Sequence, residues 1–148
     1  MTQPPKEPDI TTVRLDRPGI RAVLGDLEAQ IMEIIWSRPP GEGVTVREVF
    51  EELYPRRRLA YTTVMNTMAR LARKGLLVTE RREPAYLYRA ALDREAFVDR
   101  FVGRVLERLL VNFGGVATQR LRELTDSRTR ARLTRLAEEA RLRRRAER

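Results

Sequence analysis

From Gly25 to Arg89 the chain starts and stops structure in quick succession, and that rhythm limits what it can fold into more than any other feature. The segment GDLEAQIMEIIWS opens it. Asp26 can cap a helix whose Leu27, Ile31, Ile34 and Ile35 share one apolar face, with Met32 and Trp36 at its edges. Pro39, Pro40, Gly41 and Gly43 end that helix. Thr45 with Glu48 three residues on is a capping box, a spacing at which each side chain satisfies the other's orphan backbone N–H. Val46, Val49, Phe50 and Leu53 then give a short apolar face before Pro55. A third helix is predicted over residues 60–74, closed by Lys74 and a C′ glycine, Gly75. Leu76 to Thr79 reads as a strand, Arg81, Arg82, Glu83 and Pro84 as a turn, and Ala85 to Arg89 as the returning strand. Three helices followed by a hairpin is the order of a winged helix-turn-helix domain. The expectation is a mainly α fold with that domain over residues 23–91.

The flanks read differently. Residues 1–22 hold Pro4, Pro5, Pro8 and Pro18 with little periodicity, and are expected to form a flexible arm or one that orders on a partner. Residues 92–140 are expected to be a helical dimerisation region. Phe97, Val98, Phe101, Val102, Val105, Leu106, Leu109 and Leu110 recur at three- and four-residue intervals, a stripe too wide for a helix with an ordinary wet side. Phe97, Phe101, Val102, Val105, Leu109 and Leu110 are the expected dimer contacts. Gly114 and Gly115 are expected to break this helix. Leu121 with Leu124, and Leu133 with Leu136, mark two further short helices before a basic tail over 141–148.

Charge and missing residue types narrow the chemistry. The chain has no cysteine and no histidine, which removes disulfides, thiol catalysis, histidine acid–base catalysis and ordinary zinc sites. No metal, cofactor or enzymatic activity is expected. No apolar run approaches the ~20 residues of a membrane span, and no signal-peptide core is evident, so membrane insertion is not expected and a cytoplasmic location is. The formal charge is +9, carried almost wholly by arginine, which suits a polyanionic partner. Residues 45–90 carry net +5 and residues 117–148 net +6, whereas residues 91–116 balance at zero. The neutral, apolar stretch thus lies between two basic ones, as an interface would.

The third helix is the candidate reader of double-stranded DNA. With Val64, Met68, Leu71 and Ala72 facing inward, and Tyr61 at the edge, the opposite face presents Thr62, Thr63, Asn66, Arg70 and Arg73. Short polar side chains near a helix start can approach base edges in a major groove, so Thr62, Thr63 and Asn66 are the candidate base readers. Arg70, Arg73 and Lys74 lie further along for phosphates, Arg56, Arg57 and Arg58 in the preceding turn, and Arg81 and Arg82 at the wing tip. Each arginine alone has the plainer reading of a solvated surface residue, and Thr62 or Thr63 that of a helix cap. Tyr86 and Tyr88 are expected to pack against the domain. Two other functions fit the same residues, a winged-helix protein-interaction module and a non-specific architectural DNA binder. A specific footprint that survives competitor DNA separates them from the first reading.

The segments LGDLEAQIMEIIWS, VTVREVFEEL, LAYTTVMNTMARLARKGLL and AYLYRAALDREAFV resemble the BlaI/MecI/CopY-type repressors, the penicillinase repressor family. The resemblance runs from about Leu24 to Leu110 and more weakly to Leu136. It implies a homodimer with an N-terminal winged helix and a C-terminal helical dimerisation region, bound to a palindromic operator to repress transcription. It also implies that the helix from Ala60 is the recognition helix, with Thr62, Thr63 and Asn66 facing bases and Arg81 and Arg82 on the wing. Copper-responsive members carry a C-terminal cysteine motif that this chain lacks. In β-lactamase-type members a sensor-linked protease cuts an Asn-Phe bond, and Asn112-Phe113 stands in a similar position. The plainer reading is that Asn112 ends a helix and Phe113 packs in the interface. The arm and the RLRRRAER tail extend beyond the resemblance. Either could add phosphate contacts, although Arg141, Arg143, Arg144 and Arg145 also suit the dipole of a helix C-terminus.

Overall fold

The computed structural model describes residues 13–17 and 19–146; Pro4, Pro5, Pro8 and Pro18 of the predicted arm and the end of the tail lie outside them. A 3-10 turn at Gly19–Ala22 precedes α1 (Asp26–Trp36), α2 (Val46–Leu53) and α3 (Tyr61–Arg73). The hairpin β1 (Leu77–Arg82) and β2 (Ala85–Ala90) follows, then α4 (Arg94–Thr125) and α5 (Ser127–Ala146). The chain divides into two compact units, one through Asp99 and one from Arg100. The fold is mainly helical, and the first unit has the predicted winged helix-turn-helix order.

Within that first unit each helix buries one stripe. Ile31, Met32 and Ile35 of α1, Val49 and Leu53 of α2, and Val64, Met68 and Leu71 of α3 form one core with Leu76, Leu77 and Tyr88. Each fully buried aliphatic side chain contributes about 1.5–3 kcal/mol, so these residues fix how α3 sits on the other two helices. The core also takes in Ile20, Ala22 and Leu24, and Arg14 N–H donates to the Ala22 carbonyl at 2.6 Å. The last residues of the expected arm therefore belong to the domain, because their apolar side chains have somewhere to pack.

The caps explain the helix boundaries. Thr45 Oγ1 accepts from the Glu48 N–H at 3.2 Å, and Glu48 Oε2 accepts from the Thr45 N–H at 2.7 Å, the reciprocal box expected from sequence. In α1 the cap is Gly25 rather than Asp26: its N–H donates to Glu28 Oε1 at 3.3 Å, while Asp26 turns outward to Arg17 at 2.7 Å. At the end of α3, Gly75 adopts φ +84°, which only glycine takes without strain. Its N–H donates to the Ala72 carbonyl at 3.0 Å and the Leu76 N–H to the Leu71 carbonyl at 3.0 Å, a Schellman ending that carries the chain directly into β1.

The wing is longer than expected. β1 pairs antiparallel with β2 from Leu77↔Ala90 to Arg82↔Ala85, so Arg81 and Arg82 lie in the paired strand and only Glu83 and Pro84 turn. Val44 adds an edge, exchanging two 2.8 Å backbone hydrogen bonds with Tyr88. The chain before α2 is thereby stitched to the wing. Gly43 makes this possible, since a Cβ there would come within 2.9 Å of the Leu87 Cβ.

The C-terminal elements meet one expectation and depart from another. Helical geometry fails at Phe113 (φ −132°, ψ 34°), directly before Gly114 and Gly115, so α4 is two helices joined across a kink, with Leu121 and Leu124 in the second. Each glycine weakens a helix interior by about 1 kcal/mol, so the break falls beside the pair. The departure is at the root of α4. Asp93 Oδ1 accepts from the Ala96 N–H at 2.7 Å, and Phe97 points into the first unit's core, 2% exposed, with its ring centroid 5.5 Å from Trp36. Trp36 Nε1 donates to the Leu92 carbonyl at 2.9 Å. Phe97, expected as a dimer contact, is thus a core residue of the winged-helix unit that one chain alone already buries.

Candidate nucleic-acid interface

The outward face of α3 is built by what lies behind it. Val64, Met68 and Leu71 are fully buried, and one further position, Thr67, is buried with its hydroxyl donating to the Thr63 carbonyl at 2.7 Å. That leaves Thr62, Thr63, Asn66, Arg70 and Arg73 exposed on the opposite side. The N-cap is Ala60, and no side chain caps the helix, so neither Thr62 nor Thr63 is engaged in capping. Among the described residues nothing hydrogen-bonds their hydroxyls or the Asn66 carboxamide, which leaves them able to meet a partner's hydrogen-bonding edges.

The flanking cations fall into two groups. Arg56, Arg70 and Arg73 are exposed, and among the described residues none has a carboxylate partner. The others are held. Arg57 is half-buried and donates to Gln30 Oε1 at 2.9 Å, tying the turn after α2 to α1. Arg58 lies over the Tyr54 ring, 5.9 Å from its centroid. Lys74 donates to Glu28 Oε2 at 3.0 Å, and Glu28 is itself buried. Lys74 therefore clamps the C-terminal end of α3 to the start of α1. On the wing Arg81 pairs with Glu83 at 3.0 Å and Arg82 with Glu80 at 3.4 Å, both at exposed positions where such pairs contribute at most about 1 kcal/mol. A phosphate can displace those acids at little cost.

Two titratable groups feel their surroundings. The Arg17 hydrogen bond and charge hold the Asp26 carboxyl below the usual carboxylate range. Burial raises the Tyr88 phenol above its ordinary value. Tyr88 packs into the core as expected, whereas Tyr86 stands exposed on the wing.

This geometry belongs to a chain whose residues 24–142 match the family model described as the penicillinase repressor. The chain belongs to the penicillinase repressor family. Two relatives, each called transcriptional regulator BlaI, come from Mycobacterium tuberculosis strains CDC 1551 / Oshkosh and ATCC 25618 / H37Rv. Each is 47% identical over 75 residues, covering 51% of this chain and 53% of the relative. The chain thus spans about half the length of the curated relatives it matches. Among solved structures, the solution structure of the DNA binding domain of the repressor BlaI aligns with a TM-score of 0.43 and 24% identity, covering 47% of this chain and 82% of that one. The PcaV transcriptional regulator from Streptomyces coelicolor, in complex with its natural ligand, aligns with a TM-score of 0.39 and 19% identity over 70% of this chain and 76% of that one.

In this penicillinase-repressor-family chain the α4 stripe is largely uncovered. Val102, Leu109 and Leu110 are exposed, Phe101 and Val105 half-buried. Val102, Leu106 and Leu109, all exposed, follow a four-three spacing along one side of the helix before the kink, and Phe113 and Val116 are exposed at and beyond it. Asn112 and Phe113 are exposed at the kink. Among the described residues no helix is long and apolar enough to cross a membrane, and no group of three acidic side chains comes together to hold a metal.

Sequence reasoning passed over one further feature. Tyr54, Tyr61 and Met65 are exposed beside the α2–α3 turn, and Phe50 links the two tyrosines, its centroid 5.4 Å from Tyr54 and 5.5 Å from Tyr61. The available signal was spacing: Tyr61 and Met65 sit one helical turn apart, outside the Val64–Met68–Leu71 stripe.

Proposed function

We propose that this chain is a homodimeric transcriptional repressor that binds a palindromic operator in double-stranded DNA and blocks promoter access, acting in the cytoplasm. The observation that carries the reading is the outward face of α3. Thr62, Thr63 and Asn66 stand uncapped and exposed opposite a fully buried stripe, with the exposed Arg70 and Arg73 beyond them. Short donors and acceptors near the helix start reach base edges, and the arginines reach phosphates, when such a helix enters a major groove. Arg56 and Arg58 precede the helix, and Arg81 and Arg82 follow on the wing, so the duplex backbone meets cations on both sides.

The exposed apolar series on α4 supports dimerisation. A row of Val, Leu and Phe side chains facing water is unfavourable by about 25 cal/mol per Å² of apolar surface, and a second copy removes it. A twofold dimer reads a palindrome with half-sites about one helical turn (~34–36 Å) or a multiple apart. The test is selection of bound fragments from genomic DNA, followed by footprinting with excess competitor. A protected palindrome is the expected result; uniform binding to every fragment defeats it. We further propose that Asn112–Phe113 is the point at which a sensor-linked protease inactivates the repressor. The kink favours this bond, since a protease needs a locally unwound backbone, and Phe113 is exposed there. Incubation with the cognate protease should give fragments ending at Asn112 by mass, and an intact chain overturns the proposal.

A further inference from the structure

We infer that Met65, backed by Tyr61, is a specificity-determining residue of α3 that reads a thymine methyl group; the inference rests on the proposal that α3 enters a major groove. Met65 is 40% exposed and Tyr61 42% exposed, although the core behind them is closed by Val64, Met68 and Leu71. Tyr61 also packs on Phe50, yet each side chain leaves apolar surface in water. Their position gives that surface a use. Met65 lies between Val64 and Asn66 in the chain and one turn beyond Tyr61, so it borders the row Thr62, Asn66 and Arg73 on the side of α2.

The ledge under Met65 is braced. Phe50 meets Tyr61 edge-on at 5.5 Å and Tyr54 at 5.4 Å, and Arg58 covers the Tyr54 ring. A stiff aromatic support with a flexible thioether at its rim fits an irregular apolar partner. In a duplex, the apolar group displayed in the major groove is the C5-methyl of thymine. The exposed arginines Arg56, just before α3, and Arg70 and Arg73, further along it, make the neighbourhood of this ledge positive, so the occupant it suits is apolar at the point of contact and anionic nearby. A protein partner would have to combine those two features; a thymine in duplex DNA has both by construction.

Deoxyuridine supplies the test, since it removes the methyl and nothing else. Starting from the fragment recovered by genomic selection, each thymine of one half-site is replaced singly by deoxyuridine. At one position the wild-type protein should bind about fourfold more weakly, the worth of one buried methyl group. Met65→Ala should bind the thymine and deoxyuridine duplexes equally at that position, and Met65→Leu should restore the difference. Circular dichroism melting should show Met65→Ala still folding cooperatively, so that lost discrimination is not lost structure. If no deoxyuridine substitution weakens binding, or if the difference persists in Met65→Ala, the inference falls while the operator reading stands. If selection recovers no specific fragment, the operator reading falls and this inference with it.

Discussion

At the residue scale, the α3 side chains divide by what they face. Asn66→Ala should cost about 1–3 kcal/mol on the operator and little on random DNA, as a base-edge contact does, and equal loss on both would remove its reading role. Arg73→Ala should weaken all sequences alike and lower the salt slope by about 1 per bound protomer. Lys74 behaves differently because its ammonium is already held by Glu28. Lys74→Met should lower stability by about 1 kcal/mol in urea unfolding and leave the salt slope nearly unchanged. A slope falling as it does for Arg73→Ala would return Lys74 to the phosphate contacts. The sequence could not distinguish these two cations: they are adjacent, and the partner that separates them lies on another helix. Thr67 was equally hidden. Among threonines it reads as one more polar surface residue, and only its bond back to the Thr63 carbonyl makes its burial tolerable.

Among the elements, legibility followed the range of the forces involved. The capping box at Thr45, the glycine stop at Gly75 and the 3.6-residue stripe of α3 are local, so each was readable from neighbouring residues. Gly75→Ala should therefore destabilise by about 1–2 kcal/mol, because alanine resists the left-handed backbone that the turn into β1 requires. A loss of unfolding free energy below about 0.2 kcal/mol in urea titration would contradict it. The Val44–Tyr88 edge and the docking of Phe97 beside Trp36 depend on distant partners, and no spacing announced them. Tyr88 gives this edge a pH signature. Its phenol titrates higher in the folded state, so its contribution is complete below the unfolded value of 10.0 and is lost as pH rises through the folded one. Tyr88→Phe should blunt the alkaline loss of stability measured by thermal melting; an unchanged profile would show that another group governs it.

For the whole molecule, the exposed face of α4 is where the proposed dimer is tested. Leu109→Asp should weaken that proposed dimer by about 2 kcal/mol or more, since a buried carboxylate there finds no partner. Phe101→Asp should act in the same direction. Sedimentation should show monomers at concentrations where the wild type is dimeric, with operator affinity falling in parallel. An intact dimer in both variants would place the interface elsewhere. The stripe was visible in the sequence as period alone, which cannot tell where a helix leaves its own core; Phe97 carries the same period and belongs to the core. That docking also equips the molecule for observation. The chain has a single tryptophan, and it sits where the hairpin gives way to α4, bonded to Leu92 and against Phe97. Its ultraviolet emission is therefore a built-in reporter of one joint, uncontaminated by any other indole. Any event that loosens the foot of the long helix will register as a change in colour and intensity, with no dye attached.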